Sequence, residues 1–148
     1  MTDSRSLVVD RALVAHAAVM TLLGLLSGFT PVFVVAPRAA LSAHTVGVLQ
    51  GAMLFGLAAV WPALGSGRAV TAARYCGLIG FYVNWVGVQL AAFWSAKNMF
   101  FVHGEGMPAG AAAWMETVVA VLLNLSGLVI VMCVLILWAL RRTPARAS

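Results

Sequence analysis

Four stretches of this chain carry no Asp, Glu, Lys or Arg: Ala12–Pro37, Ala39–Gly67, Tyr75–Ala96 and Thr117–Leu140. They contain 26, 29, 22 and 24 residues. About 20 apolar residues suffice to cross a hydrocarbon core. The pattern therefore predicts an all-α fold: an integral membrane four-helix bundle with helices over about 12–35, 42–64, 69–96 and 114–140. Residues 1–148 then form a single domain, with little chain left for anything soluble. Pro31 and Pro37 close the first helix, since neither can continue it unbroken. The short connection that follows makes the first two helices antiparallel neighbours.

Polar residues interrupt this pattern at a few places, and those places are informative. The second helix opens on Leu41-Ser42-Ala43-His44 and continues through Gly47, Gln50 and Gly51. Ser42 is expected as its N-cap. At about 100° per residue, His44, Gly47, Val48, Gly51 and Phe55 share one face. A histidine above two glycines either leaves a slot for something flat, with the imidazole as its ligand, or is part of a small-residue face where another helix packs. Gly24 and Gly28 in the first helix make a similar packing pair. His16 lies near the opposite end of the first helix from His44's level, and the two are expected nearly a bilayer apart. The third helix carries Tyr82, Asn84, Trp85 and Gln89 at its middle. Polar groups at that depth are costly without partners, so they either line a cavity or bond to another helix. Asn124 in the fourth helix raises the same question.

The loop between the third and fourth helices, about 97–114, contains His103 and Glu105 among glycines. Two ligands are too few for an ordinary metal site, and a lid over a cavity mouth is the better expectation. Glu116 stands near the start of the fourth helix, where the helix dipole favours an anion. The tail from Thr143 is expected to be disordered. Cys76 and Cys133 each fall within a helix at no metal-binding spacing and read as buried small hydrophobes.

Composition agrees with the pattern: 63% of residues are hydrophobic and 9% charged, against about 25% charged in soluble domains. The net charge of +5 does not indicate nucleic acid, because position explains it. Arg5, Arg11, Arg68, Arg74, Arg141, Arg142 and Arg146 fall on one side of a four-span arrangement, and Arg38 and Lys97 on the other. Such a bias predicts both termini on the cytoplasmic side of a bacterial-type inner membrane. The first apolar run is too long for a signal-peptide core. There is no nucleotide motif, no Ser-His-Asp grouping and no pair of catalytic carboxylates.

The run Leu41-Ser42-Ala43-His44, with Gly47 and then Leu49-Gln50-Gly51, resembles the signature of the hydroxylaminobenzene mutases and of the related styrene oxide isomerases. His16, Pro62 with Leu64-Gly65, and Tyr82-Val83-Asn84-Trp85 extend the resemblance over about Ala15–Ala96. Gln50 stands where the family carries Asn, so the amide sits on a longer stem. The segment Phe29–Ala43 is short, as in the mutases. Aligned on Trp85, Ala91 falls near the position where the epoxide isomerases carry a tyrosine, which favours the mutases.

The resemblance implies a homotrimer with ferric haem b between subunits. His44 would be the axial iron ligand and Gly47 and Gly51 would lie against the cofactor. It also implies a small aromatic substrate: an arylhydroxylamine rearranged to a 2-aminophenol without a co-substrate. Gln50, Asn84 or Tyr82 would orient the N–OH group, and the π face of Trp85 would stabilise a cationic ring. Six residues separate Gln50 from His44, about 120° round the helix, so Gln50 is expected to serve the site of a neighbouring chain. Two alternatives remain: an aryl epoxide isomerase giving an aldehyde, and a non-catalytic haem-binding or structural membrane subunit.

Overall fold

Asp10 opens the first span by capping it: its Oδ1 accepts the N–H of Leu13 at 3.0 Å. The computed structural model describes residues 8–99, 102–103 and 110–142, with the side chains of 98, 99, 102, 103 and 142 excepted. The helices are α1 (Arg11–Ser27), α2 (Pro37–Val60), α3 (Arg68–Trp94), α4 (Ala113–Leu125) and α5 (Leu128–Arg142). Short 3₁₀ turns at Thr30–Val32 and Trp61–Leu64 extend α1 and α2. With α4 and α5 counted as one, this gives four spans of 22, 28, 27 and 29 residues, each long enough for a bilayer.

Four boundaries differ from expectation. The first helix ends at Ser27, and its 3₁₀ extension at Val32, rather than near residue 35. The second span begins at Pro37, five residues before Ser42. Proline is well placed at the first helical position because its missing N–H would have had no partner there. Ser42 is thus internal, and its hydroxyl donates to the Arg38 carbonyl at 3.1 Å. The fourth span is broken at Ser126-Gly127. Both residues are weaker helix formers than their neighbours, and the Ser126 hydroxyl takes the Leu123 carbonyl as its acceptor. The third span stops at Ser95, which is left-handed at φ 54°. Beyond it β1 (Asn98–Met99) pairs antiparallel with β2 (Val102–His103). Glu105 and most of the loop expected as a lid lie outside the described residues, as does the tail from Thr143.

The spans associate through small residues, as they must where lipid removes the hydrophobic drive between helices. α1 and α2 make the most extensive contact, and α3 separates α2 from α4 and α5. A Cβ on Gly24 would overlap the backbone of Gly47 and Val48. One core gathers Leu13, Met20, Leu54, Phe81 and Met132, and a second gathers Ala43, Val88, Ala91, Val119 and Leu123. Large side chains such as Phe29 and Phe33 are exposed, which suits a lipid surround. Both cysteines are free thiols, Cys76 half-buried and Cys133 exposed rather than buried.

At the end of the bundle nearest both termini, Arg74 donates two hydrogen bonds to Asp10, at 2.7 and 2.9 Å. The same aspartate that caps α1 thus ties it to α3. At the loop end, both carboxylate oxygens of Glu116 accept the N–H of Lys97 at 2.9 Å. Trp94 and Trp114 meet edge to face beside them.

Candidate functional site

His44 lies in the groove between α1 and α2. Its Nδ1 is 2.8 Å from the Gly24 carbonyl. A carbonyl can only accept, so Nδ1 carries the proton. In the neutral ring Nε2 then keeps its lone pair. Nε2 has no hydrogen-bond partner among the described residues. The ring also rests against Gly28, where a Cβ would come within 3.0 Å of Nδ1. An imidazole fixed through Nδ1 to a backbone carbonyl, with Nε2 free, is the arrangement metal-ligating histidines adopt. Among the described residues no group of three or more His, Cys, Asp and Glu side chains gathers to hold a metal ion without such a cofactor. His44 is the residue that could hold the iron of a haem, through Nε2.

The two glycines below His44 are not an open slot within the chain. A Cβ on Gly47 would stand 2.5 Å from the Gly24 Cα and 3.0 Å from Trp85 Cδ1, and one on Gly51 would strike Thr21. Helix α1 fills the space above both, so the helix-packing alternative describes them, and their effect on His44 is to set how closely α1 approaches it. Gly24, Ser27 and Gly28 surround the site; the one sign of them in the sequence is the Gly24/Gly28 spacing, which by itself indicates only packing.

The polar residues of α3 divide between two sides. Trp85 faces α1: its indole N–H donates to the Ser27 hydroxyl at 3.2 Å, and Ser27 donates to the Leu23 carbonyl at 2.8 Å. Tyr82 also turns to α1, but lower, where its hydroxyl is 3.1 Å from His16 Nδ1. Eight residues of α1 separate His16 from Gly24, about 12 Å of rise. The two histidines are therefore much closer than a bilayer thickness, yet still too far apart to ligate one iron together. Asn84 lies between Gly80 and Gly87 on one face. Those glycines pack on Ser126, Val129, Leu122 and Leu123 of the fourth span. Asn84 is therefore on the α4/α5 side, away from His44.

Gln50 shares its face with Ala43 and Leu54, which belong to the cores packed on α3. It is 6% exposed, and its Oε1 is buried without a partner. Gln89, one turn beyond Trp85, has an unpartnered buried Oε1 as well. Orphaned carbonyls are expensive in an apolar interior, so the α2–α3 region holds unmet capacity to accept hydrogen bonds. Within one chain the structure thus brings His44, Trp85 and Gly47 together and leaves Gln50, Asn84 and Tyr82 elsewhere.

Four membrane-length helices, with an intramembrane histidine held between the first two, define a membrane-embedded helical bundle. The family model for styrene oxide isomerase matches residues 9–141, and the chain belongs to that family. It is 36% identical to hydroxylaminobenzene mutase HabB of Ectopseudomonas oleovorans, across 99% of this chain and 90% of that protein. Hydroxylaminobenzene mutase HabA of the same organism is 39% identical over 85 residues, 57% of this chain and 63% of that protein. These are isomerases, and so is the present chain. No solved structure matches it.

Proposed function

We propose that this protein rearranges an arylhydroxylamine, such as hydroxylaminobenzene, to a 2-aminophenol, with ferric haem b held by His44. The observation that carries the substrate assignment is the whole-length likeness to a hydroxylaminobenzene mutase. The cofactor is supported by the locked ring of His44 with its free Nε2. When bound, ferric haem supplies a Lewis acid for the hydroxylamine oxygen.

The chain's own residues do the rest. The Gly24 carbonyl holds the His44 tautomer and ring plane. Trp85, pinned through Ser27, braces the α1–α2 crossing that carries His44. The orphaned Oε1 of Gln50 is ready to accept a substrate N–H or O–H. Asn84 offers a second carboxamide on the other side of α3, toward α4 and α5. The homotrimer implied by the family resemblance would let a neighbouring copy complete the site at His44. The apolar bundle keeps water from a cationic ring. Nothing in this rearrangement consumes an electron donor or a nucleotide, and the chain lies in a bacterial-type inner membrane.

A second reading, isomerisation of an aryl epoxide to an aldehyde, is favoured by the name of the matching family model. Purified protein is incubated anaerobically with phenylhydroxylamine and, separately, with styrene oxide, without added cofactor. We expect 2-aminophenol from the first, and a ferric Soret band that His44→Ala abolishes or shifts. Aldehyde from styrene oxide with no aminophenol selects the second reading. An unchanged spectrum in His44→Ala removes His44 as the ligand.

A further inference from the structure

The first half of α2 carries a groove of about 380 Å³ lined by Arg38, Leu41, Ser42, Thr45 and Val46. It begins beside His44. At about 100° per residue, Gly47 and Gly51, which meet α1, lie on one side of His44 around the helix, and Leu41, Thr45 and Arg38 lie on the other. Ser42 and Thr45 already donate their hydroxyl protons, to the Arg38 and Leu41 carbonyls at 3.1 Å each. The backbone N–H groups beneath them are bonded along the helix. The donor left to the groove is the Arg38 guanidinium, which is exposed and has no hydrogen-bond or ion-pair partner among the described residues. The two described carboxylates are engaged elsewhere, Asp10 with Arg74 and Glu116 with the Lys97 N–H. Arg38 is also the second residue of α2, a cation at the helix end where the dipole favours an anion.

An unpaired guanidinium in a groove with no other free donor is arranged for an anion that the described chain does not itself supply. We propose that Arg38 binds a propionate carboxylate of the haem held by His44, an assignment that rests on the haem reading. The two residues share one helix and are six positions apart, so Arg38 stands about 9 Å nearer the end of the span than His44. A haem is an apolar plate with two carboxylates along one edge. Unpaired carboxylates are costly in hydrocarbon, so that edge belongs toward the end of the span, where Arg38 is. Leu41, 57% exposed, lies between His44 and Arg38 around the helix and gives the plate an apolar surface. A guanidinium meets a carboxylate with two parallel hydrogen bonds. Lys97, the other described cation at this end of the bundle, does not line the groove.

The test compares haem with its propionate dimethyl ester, which keeps the ring and iron and lacks the two charges. Full-length apoprotein in neutral detergent is titrated with each, and the dissociation constant is read from the Soret band. Wild type should bind haem about tenfold or more tighter than the diester, the scale of a hydrogen bond to a charged group. Arg38→Gln should weaken haem binding about tenfold, leave diester binding unchanged and so bind the two nearly alike. Arg38→Lys should keep part of the difference. Because Arg38 is exposed, the variants should fold, and thermal unfolding of each apoprotein checks this. Equal affinity of wild type for haem and diester would overturn the assignment, as would undiminished discrimination by Arg38→Gln. Equal weakening of both ligands would also overturn it and mark Arg38 as a residue for lipid phosphate or for the helix itself. Those outcomes remove Arg38 alone. No haem uptake by wild type, or an unchanged Soret band in His44→Ala, removes the haem reading and this assignment with it.

Discussion

Gly47→Ala and Gly56→Ala add the same methyl group to the same helix and should have opposite effects. At Gly56 a Cβ meets nothing within 4 Å. Only the helix-propensity difference remains, a gain of up to about 1 kcal/mol. At Gly47 the new carbon would stand 2.5 Å from the Gly24 Cα, 2.9 Å from the Gly24 nitrogen and 3.0 Å from Trp85 Cδ1. Carbon atoms pack at about 3.5–4.0 Å, so α1 must retreat by about 1 Å. Backbone cannot rotate away as a side chain can. Overpacking of this kind costs about 1–3 kcal/mol; against the propensity gain, a net loss of up to about 2 kcal/mol is expected. A retreat of about 1 Å also stretches the bond from His44 Nδ1 to the Gly24 carbonyl from 2.8 Å past the hydrogen-bonding range. Thermal unfolding in detergent measures the stability difference, and the Soret band of the purified variants measures the effect at His44. If Gly47→Ala proves as stable as Gly56→Ala with an unaltered spectrum, the close α1–α2 crossing and its hold on His44 are refuted.

The remaining predictions concern the membrane edges. The Arg74 guanidinium bonded to Asp10 holds that carboxyl below its ordinary value of 3.8, helped by the Leu13 N–H. Its folded pKa being depressed, Asp10 contributes stability that is fully present above about pH 4 and is lost as pH falls through the folded pKa. Asp10→Asn should flatten that acid limb in a pH series of detergent unfolding; an identical limb in wild type and variant would rule out this linkage. A reporter fused after Ser148 should be active only as a cytoplasmic fusion, from the Arg and Lys asymmetry. Periplasmic activity would show the orientation to be reversed.

The number of spans and their approximate lengths are properties of the sequence, because bilayer thickness converts directly into a count of uncharged residues. His44 stood out in the same way: an imidazole on a glycine-bearing face is visible without coordinates. Local chemistry misled in two places. Ser42 is a good cap in isolation, but Pro37 starts the helix earlier. Ser126-Gly127 breaks a run whose hydropathy is continuous. What only the tertiary structure decided is which neighbour each polar side chain meets, because that depends on how the helices rotate and tilt against one another. Asp10 pairs with Arg74 and Tyr82 with His16, although 64 and 66 residues separate them. Asn84 and Trp85 are adjacent in sequence, yet a rotation of about 100° sends one toward α4 and the other toward α1. The Gly24 carbonyl that sets the His44 tautomer is a backbone atom twenty residues away. Every residue carries such a carbonyl, so side-chain chemistry gave no sign of it; the close α1–α2 packing put it there.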